Sequence, residues 1–294
     1  MNENIIALIV TYNRINFLKK SLEIYKNMRV KPKKILIVDN FSSDGTREFL
    51  EKWVNEKEKV EKEVVFLKEN IGGSGGFYTG LKLILDKYSK DYEWVYISDD
   101  DAFPKLDLFE KFSLIKKEDN VGAICAKIIN NGNIDVGHRR KIDGNFEEKP
   151  IDELEYKKES FLVNLFSYVG TFISIKCLKK VGLPEKDYFI WYDDTEHSYR
   201  VNKEYRILCY PILEVEHNTG KENLGFSWKT YYGIRNKTHM LKKHMTKGKF
   251  LFYCLKMKFK MKSKFLRKKI TKKEYECFKE AFSDALNDKL GKRG

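Results

Sequence analysis

Short apolar runs alternate with helix-like segments through the first part of the chain. IIALIVTYN, KKILIVDN, EVVFLKEN and WVYIS are typical of buried strands. The first run is followed by Phe17, Leu18, Leu22 and Tyr25 at helical spacing, and the next two runs are also followed by helical patterns. Strands that alternate with helices of this length predict an α/β fold with a mainly parallel central sheet and right-handed crossovers.

The apolar segments near the start and the middle of the chain are too short for membrane spans. FLVNLFSYVGTFISI is a 15-residue stretch without charge that also carries Asn, Ser, Gly and Thr, whereas a spanning helix needs about 20 mostly apolar residues. We therefore expect buried strands there, and a strand pair in RILCYPILEVEHNTG. The N-terminal apolar run is too short and wrongly flanked for a signal peptide, and it is interpreted as the first strand.

Composition and charge divide the chain into two parts. The 294 residues are 42% apolar and 14% aromatic, which is typical of a folded protein. The net charge of +14 lies mostly near the C-terminus, where Lys229 to Gly294 contain 21 Lys and Arg but 5 Asp and Glu. This predicts a catalytic or binding domain over residues 1–240 and a basic amphipathic helical extension over residues 241–294. The five scattered cysteines favour a reducing cytosol without disulfides or structural zinc.

Polar side chains follow each of the first four predicted strands. Because ligands bind beyond the carboxyl ends of parallel strands, we expect these side chains to meet at one edge of the sheet. They are Thr11, Tyr12, Asn13 and Arg14 after the first strand, Asp39 and Asn40 after the second, Asn70 after the third, and Asp99, Asp100 and Asp101 after the fourth.

Three adjacent aspartates directly after an apolar strand are costly to bury without a cation. A divalent metal is therefore favoured over a solvated loop, and hard oxygen ligands suit Mn²⁺ or Mg²⁺. The run NIGGSGGFYTG contains Gly73 but matches neither a P-loop nor G-x-G-x-x-G. Its glycines are equally compatible with a simple tight turn before a helix.

A second acidic cluster lies in DYFIWYDDTEHSYR, where Asp193 and Asp194 precede a predicted helix. Carboxylates are stabilised at a helix N-terminus, so an ordinary helix cap is the favoured explanation for this cluster taken alone. His217 follows later in VEH, and a lone histidine is more often structural than a ligand. Neither feature decides a function by itself.

Taken in order, IVTYNR, VDNFSSDGT, NIGGSGGF, SDDDA, WYDDTEHSYR and VEH resemble the family-2 glycosyltransferases of the GT-A fold. N-x-GGSGGF, DDDA and the tryptophan before the aspartate pair most resemble the branch with galactofuranosyltransferases and rhamnosyltransferases. The resemblance covers about residues 4 to 240. The extra Tyr192 between Trp191 and the aspartates departs from that branch and leaves the role of Trp191 open.

The resemblance implies roles for the matched positions. Asp99, Asp101 and His217 would hold Mn²⁺ or Mg²⁺, and Asp194 would be the catalytic base. Trp191, Asp193 and Glu196 are expected at the acceptor. The donor is expected to contact Thr11, Tyr12, Asn13, Arg14, Asp39, Asn40, Asn70, Gly73 and Asp100.

The implied reaction is an inverting transfer of a sugar from a nucleoside diphosphate, of the UDP-galactofuranose or dTDP-rhamnose type, to a glycan acceptor. We expect a lipid-linked acceptor and a role in cell-surface polysaccharide synthesis. Two alternatives stay open: a metal-dependent nucleotidyltransferase, whose basic glycine-rich signature is absent near the first strand, and a non-catalytic protein that binds sugar or nucleic acid.

The basic tail interleaves Lys and Arg with Leu, Phe, Tyr and Met. A solvated helical extension, a nucleic-acid-binding arm and an amphipathic membrane anchor are all compatible with this pattern. We favour an anionic membrane over nucleic acid as the partner, which predicts a cytoplasmic protein peripheral to the inner face of the cell membrane, and a homo-oligomer stays open. Because the matched catalytic positions precede residue 245, removal of residues 245–294 is expected to spare donor hydrolysis.

Overall fold

The computed structural model describes residues 4–217 and 225–293 of the chain. The predicted alternation of strands and helices in its first part is confirmed, and α3 continues into one π-helical turn at Ile84–Tyr88. The elements are β1 (Ile5–Thr11), α1 (Ile15–Asn27), β2 (Lys34–Asp39), α2 (Thr46–Trp53), β3 (Glu61–Phe66), α3 (Gly72–Leu83) and β4 (Trp94–Asp99).

The second part begins with shorter strands and ends in helices. Three short 3₁₀ helices lie at Val136–His138, Glu153–Lys157 and Lys186–Tyr188. The other elements are β5 (Ala102–Pro104), α4 (Leu108–Leu114), β6 (Val121–Asn130), β7 (Asn133–Ile134), β8 (Arg139–Ile142), β9 (Glu148–Pro150), β10 (Phe161–Val163), β11 (Leu165–Phe166), β12 (Thr171–Ser174), α5 (Ile175–Val181), α6 (Asp193–Glu204), β13 (Arg206–His217), α7 (Trp228–His244), α8 (Lys247–Leu266) and α9 (Lys272–Leu286).

The central sheet has the order β10-β13-β6-β12-β4-β1-β2-β3. The strands β3, β2, β1, β4, β6 and β13 share one direction, whereas β12 and β10 run opposite to their neighbours. The prediction of an α/β fold with a mainly parallel sheet is therefore confirmed. A second small sheet, in the order β11-β8-β9, lies beside it.

Every residue of β1 is buried, because helices cover both faces of the sheet. Alternate residues of β1 point to opposite faces: Ile9 packs with residues of α1, α2 and α4, and Leu8 packs with residues of α3, α5 and α6. Burial of each such aliphatic side chain contributes about 1.5–3 kcal/mol. The five cysteines are buried and free. The helices packed on the two faces of the sheet hold the strand ends that carry the polar side chains.

One predicted element is wrong. RILCYPILEVEHNTG forms a single strand, β13, instead of a strand pair, and its register with β6 shifts between Tyr210 and Glu214. Pro211 lies at the shift and has no backbone N–H to donate to a neighbouring strand. The long strand carries the chain to His217 at the same edge as β4. Residues 218–220 of the predicted pair lie outside the described residues.

The C-terminal region is helical, as predicted, but no helix begins at the predicted boundary between residues 240 and 241. That position falls inside α7, and α9 packs back on α7 around Phe189, Tyr232 and Ala281. α8 packs on α9 through Cys254 and its neighbours. Across residues 4–217 and 225–293, no helix combines the length and apolar content needed to cross a membrane.

Candidate active site

The carboxyl ends of the parallel strands meet at one cleft. Thr11 lies opposite Asp39 in the pairing of β1 with β2, and Val10 lies opposite Asp99 in the pairing of β1 with β4. The cleft has a volume of about 1300 Å³. Its lining includes the predicted residues Thr11, Tyr12, Arg14, Asn40, Asn70, Gly73, Asp99, Asp100, Asp101, Trp191, Asp193, Asp194 and His217.

Asp99, Asp101 and His217 form a cluster of potential metal ligands. Their ligand atoms all lie within 4.8 Å of one another, and His217 Nε2 is 3.2 Å from Asp101 Oδ1. The strands explain this meeting, because β13 pairs with β5 and places His217 opposite Ala102. Two carboxylates and an imidazole are a donor set that fits Mn²⁺ or Mg²⁺. This cluster is consistent with a divalent metal site.

Asp100 is not part of that cluster. One of its oxygens accepts a hydrogen bond from Thr11 Oγ1 at 2.7 Å, and the other lies 3.5 Å from Arg14 Nη1. The same Arg14 nitrogen also pairs closely with Asp101. Arg14 was predicted as a donor contact, and its pairing with two of the three adjacent aspartates was missed by sequence reasoning.

The three aspartates have different electrostatic surroundings. Burial raises the pKa of Asp99 to about 6, and the charge of Asp101 adds to this effect. Burial also raises the pKa of Asp100 to about 7. Burial opposes ionisation of Asp101, but the hydrogen bond and charge of His217 together with Arg14 lower its pKa. Asp101 is thus the carboxylate best stabilised as the anion.

Asn40 and Asn70 shape the start of the glycine run. Asn70 Oδ1 accepts hydrogen bonds from Asn40 Nδ2 at 3.1 Å and from the backbone N–H of Gly72 at 2.9 Å. Gly72 has φ +77°, and a Cβ there would lie 2.0 Å from the carbonyl oxygen of Phe189. The glycine is required because the Phe189 backbone approaches α3 closely. The cleft wall next to Gly73 has open space for a ligand.

Asn13 and Asp39 are outside the cleft lining, unlike the other predicted donor contacts. Asp39 is fully buried and accepts from the backbone N–H of Ser42 at 3.2 Å. Asn13 accepts from the backbone N–H of Ser43 at 2.7 Å. Both side chains therefore hold the loop after β2 in this structure and do not line the cleft. In this structure, therefore, neither residue is positioned to contact a donor in the cleft directly.

The segment of residues 188–192 has unusual backbone geometry. Phe189, Trp191 and Tyr192 have φ values of +66°, +66° and +71°, a region that side chains other than glycine rarely occupy. Such strain persists only where surrounding contacts hold it, and it clusters at functional sites. This segment leads directly into Asp193 and Asp194.

Asn236 and Arg235 of α7 hold the 188–192 segment from one side. Asn236 Nδ2 lies 2.9, 2.9 and 2.8 Å from the carbonyl oxygens of Tyr188, Ile190 and Trp191. Arg235 Nη2 donates to the carbonyl oxygen of Tyr188 at 3.0 Å. Both α7 side chains are buried. Sequence reasoning missed them, because their partners are backbone atoms far away along the chain.

Asp193 and Asp194 begin α6 and face the cleft. Asp194 Oδ1 accepts from the backbone N–H of Thr195 at 2.5 Å. Burial, with the charge of Asp194, raises the pKa of Asp193 to about 8. Burial also raises the pKa of Asp194, against the opposing charge of Arg140. A carboxylate with a raised pKa is a better proton acceptor near neutral pH, and the charge of Asp194 also raises the pKa of Asp99.

The model of the family described as Glycosyl transferase family 2 matches residues 6–182 of the chain. The chain belongs to glycosyltransferase family 2. Asp193, Asp194 and His217 lie beyond the matched residues, so their positions come from the structure and not from the family match. The predicted family is confirmed.

The curated relatives of this glycosyltransferase match only part of its length. The galactofuranosyltransferase GlfT1 of Mycobacterium tuberculosis is 28% identical over 102 residues, which cover 35% of this chain and 32% of that protein. GlfT1 of Mycolicibacterium smegmatis is also 28% identical over 102 residues, or 31% of its length. The match thus spans about a third of these relatives.

Solved structures share the GT-A fold of this glycosyltransferase. The structure of GalNAc-T7 with UDP, GalNAc and Mn²⁺ has a TM-score of 0.64 at 15% identity, over 97% of this chain and 56% of that one. S. aureus TarS 1-349 with UDP-GlcNAc has a TM-score of 0.61 at 16% identity, over 96% and 80%. The mannosyltransferase PcManGT of Pyrobaculum calidifontis, with GDP-Man and Mn²⁺, has 0.57 at 16%, over 82% and 62%. The predicted GT-A fold is confirmed.

Glu196 was predicted at the acceptor, and the structure corrects this placement. Its side chain is 0% exposed and lies outside the cleft lining. The carboxylate accepts from Arg200 Nε at 3.0 Å and lies 3.2 Å from Lys243 Nζ and 3.0 Å from His244 Nε2. Burial opposes ionisation, but the hydrogen bond with His244 and the charges of Arg200 and Lys243 lower the pKa of Glu196 well below its usual range. Glu196 joins α6 to α7 instead of contacting a ligand.

The last described residues also reach the cleft. Lys292 and Arg293 line it beside Tyr232, whose hydroxyl oxygen accepts from the backbone N–H of Arg293 at 2.8 Å. The backbone N–H of Gly291 donates to the carbonyl oxygen of Asp187 at 2.6 Å. Residues 245–294 thus contribute to the cleft lining, and the effect of their removal on donor hydrolysis stays a prediction. No local pattern in the sequence indicated this return of the chain.

Proposed function

We propose that this chain is an inverting glycosyltransferase that moves a sugar from a nucleoside diphosphate to a hydroxyl group of a glycan. The observation that carries this proposal is the meeting of Asp99, Asp101, His217 and Asp194 in one cleft of a family-2 glycosyltransferase. Small-molecule pockets usually have about 300–1,000 Å³. A cleft of about 1300 Å³ has room for a donor and an acceptor sugar together.

Asp99, Asp101 and His217 are the residues that would hold Mn²⁺ or Mg²⁺. When bound, such an ion supplies positive charge that stabilises the departing diphosphate. Arg14 places a further positive charge beside the same carboxylates. This set of charges favours a donor whose leaving group is strongly anionic.

The donor lies against the strand-end wall of the cleft in this proposal. Thr11, Tyr12 and the two asparagines Asn40 and Asn70 offer polar groups for a base and ribose, and Asp100 lies between them and the metal ligands. Gly73 lets the donor approach the backbone closely. Asn13 and Asp39 contribute by holding the adjoining loop.

The acceptor lies against Trp191 and Asp193. The Trp191 ring is 40% exposed in the cleft, and an exposed indole face offers a sugar ring an apolar surface to stack on. Lys229 Nζ lies 5.8 Å from the centre of this ring. An acceptor hydroxyl placed here is close to the N-terminus of α6, where Asp194 begins the proton transfer.

Asp194 is proposed as the general base. Its carboxylate takes the proton of the acceptor hydroxyl while the hydroxyl oxygen bonds to the anomeric carbon of the donor. The bond between that carbon and the diphosphate oxygen breaks, and the nucleoside diphosphate leaves with the electron pair. A single displacement of this kind inverts the anomeric configuration. The raised pKa of Asp194 suits this role.

The donor is proposed to be of the UDP-galactofuranose or dTDP-rhamnose type, and the acceptor a lipid-linked glycan in cell-surface polysaccharide synthesis. The galactofuranosyltransferases GlfT1 support the first donor, at 28% identity over 102 residues. The alternatives are a metal-dependent nucleotidyltransferase and a non-catalytic sugar-binding protein. The base beside the metal cluster favours transfer over both.

A panel of sugar nucleotides, each incubated with and without Mn²⁺, tests the proposal. Release of UDP or dTDP that depends on the ion and increases with an added glycan acceptor is the expected result. A nucleotidyltransferase would instead join a nucleoside triphosphate to a sugar phosphate and release pyrophosphate. A binding protein would retain the sugar nucleotides intact, and either outcome would refute glycosyl transfer.

A further inference from the structure

Helix α8 exposes an apolar stripe in addition to the face it packs on α9. Its inner face carries Phe250, Cys254 and Met257, which contact α9. Five other apolar residues are 60 to 77% exposed, and we call them the outer face of α8: Leu251, Phe252, Leu255, Phe259 and Leu266. At 3.6 residues per turn they fall within about 100° of arc. The only other residues in that arc are Gly248 and Lys262.

Lysines border the outer face on both sides. α8 carries seven lysines and no acidic residue over Lys247–Leu266. By helical position, Lys247 and Lys258 flank one side of the stripe and Lys256 and Lys260 flank the other. Long lysine side chains can extend away from an apolar surface while keeping their charge in water. The stripe is thus an apolar surface framed by positive charge.

The combination of lysines and apolar residues on α8 distinguishes among possible partners of the outer face. A second copy of the chain would bring two sets of α8 lysines together, and like charges in contact oppose association. Nucleic acid would pair with the lysines but would leave five large apolar side chains without a partner. An anionic lipid surface satisfies both parts, because lysines attract its headgroups and apolar residues enter the headgroup and acyl boundary.

We propose that the outer face of α8 docks the protein on an anionic membrane surface. α8 contacts the turn between β8 and β9, where Lys249 Nζ donates to the carbonyl oxygen of Gly144 at 3.0 Å. On β9, Glu148 accepts from the Tyr192 hydroxyl at 3.1 Å. If the proposed function holds, docking brings a membrane-borne acceptor to the side of the cleft where Trp191 lies.

Co-sedimentation of the full chain with phospholipid vesicles tests the docking without any transferase assay. We expect binding to vesicles of one part phosphatidylglycerol and two parts phosphatidylcholine, weak binding to phosphatidylcholine alone, and partial release as salt rises. The double variant Phe252→Ser and Phe259→Ser removes the two largest outer-face side chains. Its affinity for the anionic vesicles should fall by about tenfold or more.

A matched control removes equally exposed apolar groups elsewhere. Leu114→Ser with Leu154→Ser changes side chains that are 81% and 63% exposed, and vesicle binding should be unchanged. For the charges, Lys256→Gln with Lys262→Gln should weaken binding by about fivefold per lysine. The control Lys87→Gln with Lys90→Gln should leave it near wild type.

The result that overturns the proposal is equal vesicle binding by wild type and the phenylalanine variant, or equal binding to anionic and neutral vesicles. A dimer in analytical ultracentrifugation that dissociates in the same variant would assign the stripe to a second copy and reject the membrane. Tight binding to a short duplex RNA that is lost in the lysine variant but kept in the phenylalanine variant would also reject the membrane proposal. Donor hydrolysis by the variants separates these outcomes from failure of the proposed transfer.

Discussion

Both acidic clusters of the cleft bring carboxylates close together, but the two clusters have different surroundings. Asp99 to Asp101 lie at the end of a strand, where Arg14 pairs with Asp100 and Asp101 and His217 contacts Asp101. Asp193 and Asp194 begin a helix, and burial raises the pKa of both. Burial also raises the pKa of Asp99 and Asp100, so the clusters differ in that only the first contains a carboxylate, Asp101, whose pKa is lowered.

The two clusters also differ in what holds them in place. The first depends on strand pairing within the parallel sheet, which fixes the ends of β1, β2 and β4 together. The second depends on backbone carbonyl groups of the 188–192 segment, which accept hydrogen bonds from Asn236 and Arg235. Damage to the first should therefore affect cation and donor binding, and damage to the second should affect transfer with the donor still bound.

The largest effect is expected at the metal cluster. Asp101→Ala should lower turnover by about 10³-fold or more, because a bound cation contributes several kcal/mol to transition-state stabilisation. Calorimetry should show loss of the Mn²⁺-dependent part of UDP or dTDP binding. Asp119→Ala, a change at a fully exposed carboxylate, is the control and should behave as wild type. Unchanged Mn²⁺-dependent binding in the Asp101 variant would remove this residue from the metal site.

Asp194→Asn should give the next largest effect and should sharpen the contrast. The amide keeps the shape of the side chain but cannot take a proton, so kcat should fall by about 10²- to 10⁴-fold. Donor binding measured by calorimetry should stay near that of wild type, unlike the result for Asp101. A parallel loss of donor affinity would place Asp194 at the nucleotide instead of the acceptor.

Asn236→Ala tests whether the 188–192 segment positions the base. Loss of its hydrogen bonds frees the carbonyl groups of Tyr188, Ile190 and Trp191, and a small displacement of a reacting group costs up to about 10²-fold in rate. We expect kcat to fall by about 10- to 100-fold and donor affinity to be kept.

The control for this positioning role is Asn202→Ala, which removes an amide group on α6 that accepts from Asn164 at 3.3 Å. It should leave kcat unchanged. If Asn236→Ala lost donor affinity in the same proportion as kcat, a general loss of structure would account for its effect.

The smallest effect concerns stability and pH. The pKa of Asp193 is raised to about 8 in the folded chain, against about 3.9 for an unperturbed aspartate. Between these values the folded state binds the proton and the unfolded state does not, so the free energy of unfolding falls as pH rises from about 4 to about 8.

Asp193→Asn removes this dependence. Thermal unfolding should show a Tm several degrees above wild type at pH values above about 8, and little difference near pH 4. The same change at the exposed Asp119 should leave the pH profile unaltered. An identical slope in wild type and the Asp193 variant would show that another group causes the dependence.

The strand ends were predictable because their information is local. Alternating apolar runs located β1 to β4, and the polar residues after them met at one edge because parallel strands have their carboxyl ends together. Arg14 was found at this edge, but its pairing with Asp100 and Asp101 was not, since side-chain direction across strands is set by tertiary packing.

Glu196 shows why the second cluster was harder to predict. Asp193 and Glu196 are three residues apart on α6, and such residues neighbour each other on a helix surface, so sequence alone does not separate a cleft residue from a buried one. Only the packing of α7, which brings Lys243 and His244 to Glu196, decides the difference. The hydrogen bonds from Asn236 to the 188–192 segment are equally hard to predict from sequence, because their acceptors are backbone carbonyl oxygens, which every residue has.

The return of residues 291–293 to Asp187 and Tyr232 has a consequence for biosynthesis. Ribosomes add about 5–20 residues per second, so about 5 to 20 s pass between the synthesis of Asp194 and that of Arg293. A nascent chain can pair its sheet strands and bring Asp99, Asp101 and His217 together within this interval, before residues 291–293 contact Asp187 and Tyr232. Cation binding should therefore mature before sugar transfer as the protein is made.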